Sequence, residues 1–584
     1  MGLFVITSLT PFQRRKGRLP KHAFQKGDLS HVIDPSTSKL DPYSCSFQQR
    51  QSKKPIDLCR AKDRLQRTVG HSEPHRNMAD ASNEPSRKKR RLDSSISPPP
   101  LRRKIEVVDE APKVIKSPFQ LTRITDLPPA SNVDTVTLKD ILGDPLISEC
   151  WEFNYLHDLD FLMEAFDEDI RDLVKVHVIH GFWKQEDANR RSLIDQAKKY
   201  PNITLRTAYM PEMFGTHHTK MLVLIRHDDR AQIIIHTANM IPFDWGNMAQ
   251  AVWKSPLLPL ATGSSTSLQT EQMGSGFKFK TDFLNYLRAY DSKRTVCKPL
   301  IEQLTKYDFS EIRAALVGSV PGRQDMETYS QTSWGWAGLK NVLKSVPVSG
   351  PEPDIVIQIS SIATLGQNDK WLDKTLFNVL KTSKNLKSKP KFHIIFPTAD
   401  EIRRSLNGYA SGSAIHTKTQ TAAQTKQLQY LKPMLYHWAG DGPQHASASS
   451  TATHDAGRKR AAPHIKTYIR FSDKTHSTID WMLVTSANLS KQAWGEAQNA
   501  AGESRVSSYE LGVLVWPELF GEKATMIPTF KADTPPLAGK GELVVGARMP
   551  YDLPFVPYAK EDEPWCATKA YQELDWMGRA YRLE

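Results

Sequence analysis

The chain has 584 residues, 39% of them hydrophobic and 24% charged, with 78 Lys+Arg against 64 Asp+Glu for a formal net charge of +14. That length accommodates several domains, and so low an apolar fraction points to a globular part joined to sequence that does not pack. No apolar run approaches the roughly 18 residues that cross a bilayer, and the five cysteines are scattered without CxxC spacing. A membrane span, a disulfide framework and a zinc knuckle are therefore excluded, and the chain reads as intracellular.

Residues 1–116 are rich in Ser, Pro, Gln, Lys and Arg, hold no sustained helix or strand period, and are expected to be a disordered basic tail. The opening MGLFVITSLTPF is apolar first and basic afterwards, the reverse of a secretory signal, and Ile6 stands where a myristoylation site has Ser or Thr. Basic residues with no acid before Asp28 leave a mitochondrial-type presequence open. Residues 1–110 carry 23 Lys+Arg against 12 Asp+Glu, so +11 of the charge lies there and only +3 in the rest. The excess is a tail property, and a nucleic-acid groove in the folded part has to be argued from placed residues. Five consecutive cations at 87–91 (RKKRR, Arg87 first and Arg91 last) suit an acidic groove on a nuclear import receptor; the alternative is a merely solvated charge run. MADASNEPSRKKRR, beginning at Met78, resembles an ordinary protein start, so translation from Met1 or from Met78 stays open.

From Ser117 onward short β-rich runs (VKVHVIHG, TKMLVLI, QIIIHTANM, DIVIQISS, KFHIIFP, IKTYIRF, DWMLVTSAN, GVLVWP) alternate with helical stretches such as DANRRSLIDQAKKY and DKWLDKTLFNVLKT. The alternation predicts an α/β protein with helices on both faces of its sheets. GSVPGR at 318–323 reads as a joint, giving halves at 117–321 and 322–584, and the Ser, Ala, Thr and Gly-rich stretch 439–460 reads as a disordered surface insertion.

One long-period repeat stands out. HTKMLVLIRHDDRAQIIIHTANMIPFDWG (218–246) and HIKTYIRFSDKTHSTIDWMLVTSANLSKQAWG (464–495) each place a His-x-Lys at a strand start, a second strand ending in Ala-Asn, and Trp-Gly after five more residues. Alternation along a strand puts His218 and Lys220 on one face, and likewise His464 and Lys466, so two copies make one symmetric site with Asn239 and Asn488. Two ammonium groups and two amides with almost no carboxylate suit a phosphate whose negative charge grows in a pentavalent transition state, with lysines in the place of a metal and no cofactor needed. One histidine can attack phosphorus while the other protonates the leaving oxygen and then activates water. Two lysines nearby should lower both imidazole pKa values and keep the nucleophile neutral.

At these residues the sequence resembles the phospholipase D superfamily and, within it, the tyrosyl-DNA phosphodiesterases. The superfamily's usual motif has Asp five positions after Lys, where Ile225 and Phe471 stand here. That absence, with FGTHHTKM, IHTANMIPFDW, PHIKTY, TSANLSKQAWG and SYELGVL, marks the tyrosyl-DNA phosphodiesterase branch from about Ser117 to the end. The resemblance implies two similar phospholipase D-like α/β/α domains related by a pseudo-two-fold axis. It implies His218 as the nucleophile of a phosphohistidine link to a DNA 3′ end and His464 as acid then base. Lys220, Lys466, Asn239 and Asn488 would bind phosphate oxygens, with Gln250 and Glu510 orienting the histidines. On the substrate side it implies DNA-backbone contacts from Ser360, Ser361 and Thr364, although the family more often has a Gly-Ser pair where Ala363 and Thr364 stand. Phe214 would stack on a base, Tyr155 would lie on the peptide or DNA side, and Ser490 would touch phosphate or simply cap the next helix.

The function so implied is a metal-independent DNA repair phosphodiesterase. It would hydrolyse the 3′-phosphotyrosyl bond that a stalled topoisomerase I leaves, with single- and double-stranded DNA 3′ ends, the tyrosyl peptide and an import receptor as expected partners. The expectation is a nuclear monomer, with a mitochondrial pool open and no membrane. A general phospholipase or nuclease of the same superfamily and a DNA-end scaffold without catalysis are the competing readings; the absent Asp and the intact His218 and His464 respectively count against them.

Overall fold

The computed structural model describes residues 113–262, 271–328, 330–439, 454–536, 539 and 541–583, so Met78, the basic run at 87–91 and the start of the chain lie outside the described residues. Among the described residues two large sheets carry the fold, one of eight strands and one of ten. In the first, Ile147–Phe153, Lys175–His180 and Ile203–Thr207 run parallel, joined by the helices Leu159–Glu164 and Ala188–Ala197. Asp158 and Asp187 cap those helices by accepting from backbone N–H groups of their first turns. On the other side of Ile147–Phe153 come the antiparallel strands Met221–Arg226, Arg230–His236, Ala251–Lys254 and Phe119–Leu121.

The second sheet repeats this order strand for strand. Asp354–Gln358, Lys391–Ile395 and Leu435–Tyr436 are parallel, followed on the other side by Thr467–Phe471, Ile479–Thr485, Glu510–Val515 and Ala315–Ser319. Parallel strands need crossover connections of a dozen residues or more, which is why helices alternate with strands in each half. The strand interiors are Val, Ile and Leu on both faces, as sheets covered on both sides require.

Three boundaries differ from the sequence reading. The tail, taken to end at 116, already forms the strand Lys113–Ile115, parallel to Leu543–Arg548. The second sheet begins before 321, because Ala315–Ser319 pairs with Glu510–Val515. The stretch 439–460 is built into the fold from His454, which pairs with Leu553, and Arg458 is buried with its guanidinium donating to Ser131 O. Its Ser- and Ala-rich composition hides these anchors.

The two halves share one interior. Helix Gly276–Tyr290 buries Phe279, Phe283, Tyr286, Leu287 and Tyr290, spaced three and four apart, in a cluster that also takes in Tyr509, Leu511 and Val513 of the second half. At the far end of the chain Trp565 is fully buried: its Nε1 donates to Gly412 O and Ile415 O, both at 3.0 Å, and its ring stacks 5.0 Å from Tyr571. Trp565→Ala is expected to cost about 3–5 kcal/mol, the range for an aromatic truncated inside a packed core. Urea unfolding followed by fluorescence reads this as a lower midpoint with an unchanged slope.

Candidate active site

His218 and Lys220 lead into the strand Met221–Arg226, and the residue between them shows how the strand is held. Thr219 faces away from both, its hydroxyl bonded to the Tyr286 and Tyr290 hydroxyls at 2.6 and 2.9 Å. The His218 backbone N–H donates to Tyr509 O at 3.0 Å, so the second half sets the entry angle of the strand. His218 Nδ1 lies 2.8 Å from Glu510 Oε2, which also accepts from the Ser486 hydroxyl at 2.5 Å. Burial pushes the Glu510 carboxyl up, but His218, Ser486 and Lys220 together hold it below its ordinary value, so it is ionised and accepts. Nδ1 must then carry the proton, leaving the lone pair on Nε2. Burial lowers the His218 pKa, against the pull of Glu510 and with the help of Lys220, and a neutral ring with a free Nε2 is a nucleophile.

The second set is built the same way. His464 and Ile465 both donate backbone N–H groups to Ala249 O, beside the short parallel pairing of Ala462–Pro463 with Met248–Ala249. His464 Nδ1 meets Gln250 Nε2 at 2.9 Å and Asp244 Oδ2 at 3.1 Å. Burial foremost, then Lys466, brings the His464 pKa down to about 3. Lys220 falls to about 8 through burial, and Lys466 falls well below its ordinary value through burial and the charge of Lys220. That coupling places the two ammonium groups at one locus, and a bound phosphate would offset their repulsion and restore their basicity. Each lysine also reaches back to a carbonyl, Lys220 to His218 O at 3.3 Å and Lys466 to His464 O.

The Asn488 side chain is oriented from behind, and Asn239 is held through its backbone. Asn488 Oδ1 accepts from Ser360 N at 3.1 Å, Ser360 Oγ at 3.2 Å and Ser361 N at 2.9 Å, which turns its Nδ2 donor away from them. The Asn239 backbone N–H donates to Asp244 Oδ2 at 2.6 Å.

The site is held crosswise. In each half a hydroxyl at the end of the second repeat strand braces a side chain at the start of the next strand, Gln250 directly before Ala251–Lys254 and Glu510 opening Glu510–Val515, and that side chain reaches the imidazole of the other half. Thr237 Oγ1 donates to Gln250 Oε1 at 2.7 Å and Gln250 holds His464; Ser486 Oγ donates to Glu510 and Glu510 holds His218. The same hydroxyls accept from Ala251 N and Leu511 N, both at 3.0 Å. Gln250 and Glu510 thus occupy one position of the repeat.

Of the residues singled out in the sequence, His218, Lys220, Asn239, Gln250, His464, Lys466, Asn488 and Glu510 converge. Tyr155 joins them, its ring edge-on to His218 at 5.9 Å. Ser361 is half-buried and Thr364 exposed, at the loop after Asp354–Gln358. Phe214 is 81% exposed, with its ring available to a planar partner. Two residues have partners within the protein, Ser490 in the helix-capping role that was one of its two expected alternatives. Ser360 is buried and its hydroxyl donates to Asn488 Oδ1 at 3.2 Å, orienting that amide. Ser490 caps the helix Lys491–Trp494, accepting from Ala493 N at 3.0 Å.

Sequence reasoning passed over Thr237, Ser486 and Asp244. The first two were visible as the hydroxyl residue before Ala-Asn in both copies, HTAN and TSAN. Asp244 was not visible in that way, because the second copy has Ala493 at its position. The expectation of a site with almost no carboxylate is accordingly corrected: Asp244 and Glu510 are both buried there, each behind one imidazole.

The tyrosyl-DNA phosphodiesterase profile matches residues 118–559. The chain belongs to this family. Among relatives of the tyrosyl-DNA phosphodiesterase family, a probable tyrosyl-DNA phosphodiesterase of Schizosaccharomyces pombe is 34% identical over 544 residues, covering 80% of this chain and 96% of that protein. The tyrosyl-DNA phosphodiesterase 1 of Drosophila melanogaster is 32% identical over 461 residues, covering 76% and 72%. The crystal structure of the yeast tyrosyl-DNA phosphodiesterase superposes with a TM-score of 0.56 at 21% identity, covering 78% of this chain and all of that one, which shows a common fold.

Proposed function

We propose that the protein hydrolyses the phosphodiester joining a DNA 3′ end to a tyrosine, as a stalled topoisomerase I leaves it, and tolerates other 3′ adducts. The observation that carries this reading is the pair of crosswise-held imidazoles flanking two coupled lysines. His218 Nε2 attacks phosphorus while His464, on the opposite side, protonates the tyrosyl oxygen; a water deprotonated by His464 then releases the 3′-phosphate from His218. Lys220, Lys466, Asn239 and Asn488 donate to the non-bridging oxygens as charge builds on them. Exposed Phe214 and Thr364 suit a single-stranded 3′ end laid across the mouth of the site. The basic run at 87–91 supports delivery to the nucleus.

The test is a 3′-phosphotyrosyl oligonucleotide incubated with the full chain in EDTA, with a 3′-phosphate oligonucleotide as the expected product. The lysines supply the charge a metal would otherwise bring, so added magnesium should not raise the rate. Turnover lost in chelator and restored by magnesium would overturn the reading.

A further inference from the structure

The repeat is broken at one position that matters. Where the second half presents Glu510, a carboxylate, to His218, the first half presents Gln250, a neutral amide, to His464. The missing negative charge arrives from another position, Asp244, whose repeat counterpart is Ala493. Asp244 is 1% exposed, its Oδ2 accepts from Asn239 N and Gln250 Nε2 and lies 3.1 Å from His464 Nδ1, and its Oδ1 is buried with no hydrogen-bond partner among the described residues. Burial pushes its carboxyl up, but His464, Asn239 N–H and Lys466 hold it below its ordinary value, so it is ionised.

Gln250 and Asp244 make incompatible demands on one nitrogen. Gln250 Nε2 brings an N–H and requires a lone pair on Nδ1; Asp244 brings lone pairs and requires an N–H there. The first suits the resting ring, which burial and the charges facing it, Lys466 and Lys220, keep neutral. The second suits a ring that has gained a proton once a bound phosphate cancels those charges. We propose that Asp244 is the positioning carboxylate of His464, holding a proton on Nδ1 through both chemical steps. In the first, the bond from His218 Nε2 to phosphorus forms, the bond to the tyrosyl oxygen breaks, and that oxygen's electron pair takes the proton from His464 Nε2. Nδ1–H stays on Asp244, so the product is a neutral imidazole with Nε2 as a base. Without Nδ1–H the same transfer would leave an imidazolate. In the second step a water oxygen bonds to phosphorus, its proton goes to His464 Nε2, and the electron pair of the breaking P–N bond returns to His218.

This inference rests on the phosphotyrosyl reading, and the experiment separates the two. Full-length wild type, Asp244→Asn and Asp244→Glu are compared in single turnover on oligonucleotides with a 3′-phosphotyrosine or a 3′-(4-nitrophenyl) phosphodiester, whose leaving group needs no acid. Asp244→Asn is expected to form the adduct at least tenfold more slowly from tyrosine, at close to the wild-type rate from nitrophenol, and to release it slowly from either, so that adduct accumulates with nitrophenol. The limb of the pH profile that needs protonated His464 should move to lower pH, because the charge that stabilises the imidazolium is gone, and Asp244→Glu should recover part of the loss. Wild-type behaviour of Asp244→Asn on both substrates overturns the inference. So does an equal loss of adduct formation on both, which would mean that Asp244 only places Asn239. Inactive wild type on phosphotyrosine would instead sink the functional reading.

Discussion

Incubated with a labelled 3′-phosphotyrosyl oligonucleotide, His464→Ala is expected to accumulate a protein–DNA species that survives denaturation, whereas His218→Ala yields neither product nor adduct. The two histidines have similar settings, yet the reaction asks different things of them. Tyrosine's phenol, with a pKa near 10, leaves phosphorus without full protonation, so loss of the acid slows the first step and does not stop it. Release of the DNA from His218 requires a deprotonated water, and among the titratable side chains that converge, His464 is the one freed to accept its proton. The carboxylates Glu510 and Asp244 sit behind the imidazoles and face their Nδ1 atoms. A denaturing gel decides the matter: adduct in His218→Ala reverses the roles, and adduct in neither variant means direct hydrolysis by water.

Lys220→Ala and Lys466→Ala are each expected to lower turnover by about 100-fold or more, the scale of removing one preorganised donor from a developing anion. A loss under about threefold would make the lysine a packing residue. The pH dependence has a definite sign. In the free protein Lys220 titrates at about 8, so above that pH it loses the charge that attracts phosphate and kcat/KM falls. In the complex the phosphate raises the lysine pKa again, so kcat holds to higher pH than kcat/KM does. Parallel profiles for the two constants would count against the lysines as phosphate ligands.

The His-Lys-Asn sets were legible because strand alternation and repetition are sequence-visible: two residues apart means one face, and twice means one site. The eight central β-rich runs were legible for the same reason. Ala315–Ser319 was not, because its pairing partner Glu510–Val515 lies almost two hundred residues downstream and nothing local marks a first strand of a second sheet. Ile147–Phe153 (ISECWEF) sits at the centre of its sheet yet carries the buried Glu152, with His157 Nδ1 2.8 Å from its carboxylate, a burial that strand patterning does not reveal. Ser360 was assigned to the DNA backbone through the family resemblance alone; its bond to Asn488 crosses from residue 360 to residue 488, which no local pattern reveals. Asp244 escaped because repeat comparison finds what two copies share, and its role comes from where they differ.

The crosswise bracing makes the fold an interlock. His218 is aimed by Glu510, nearly three hundred residues later in the chain, and His464 by Gln250 and Asp244, which come more than two hundred residues earlier. A partly synthesised chain, or a fragment cut between the halves, carries a phosphate-attacking histidine with nothing to aim it and half of the charge that would draw a phosphate in. Activity is thereby expected only from a chain in which both halves are complete.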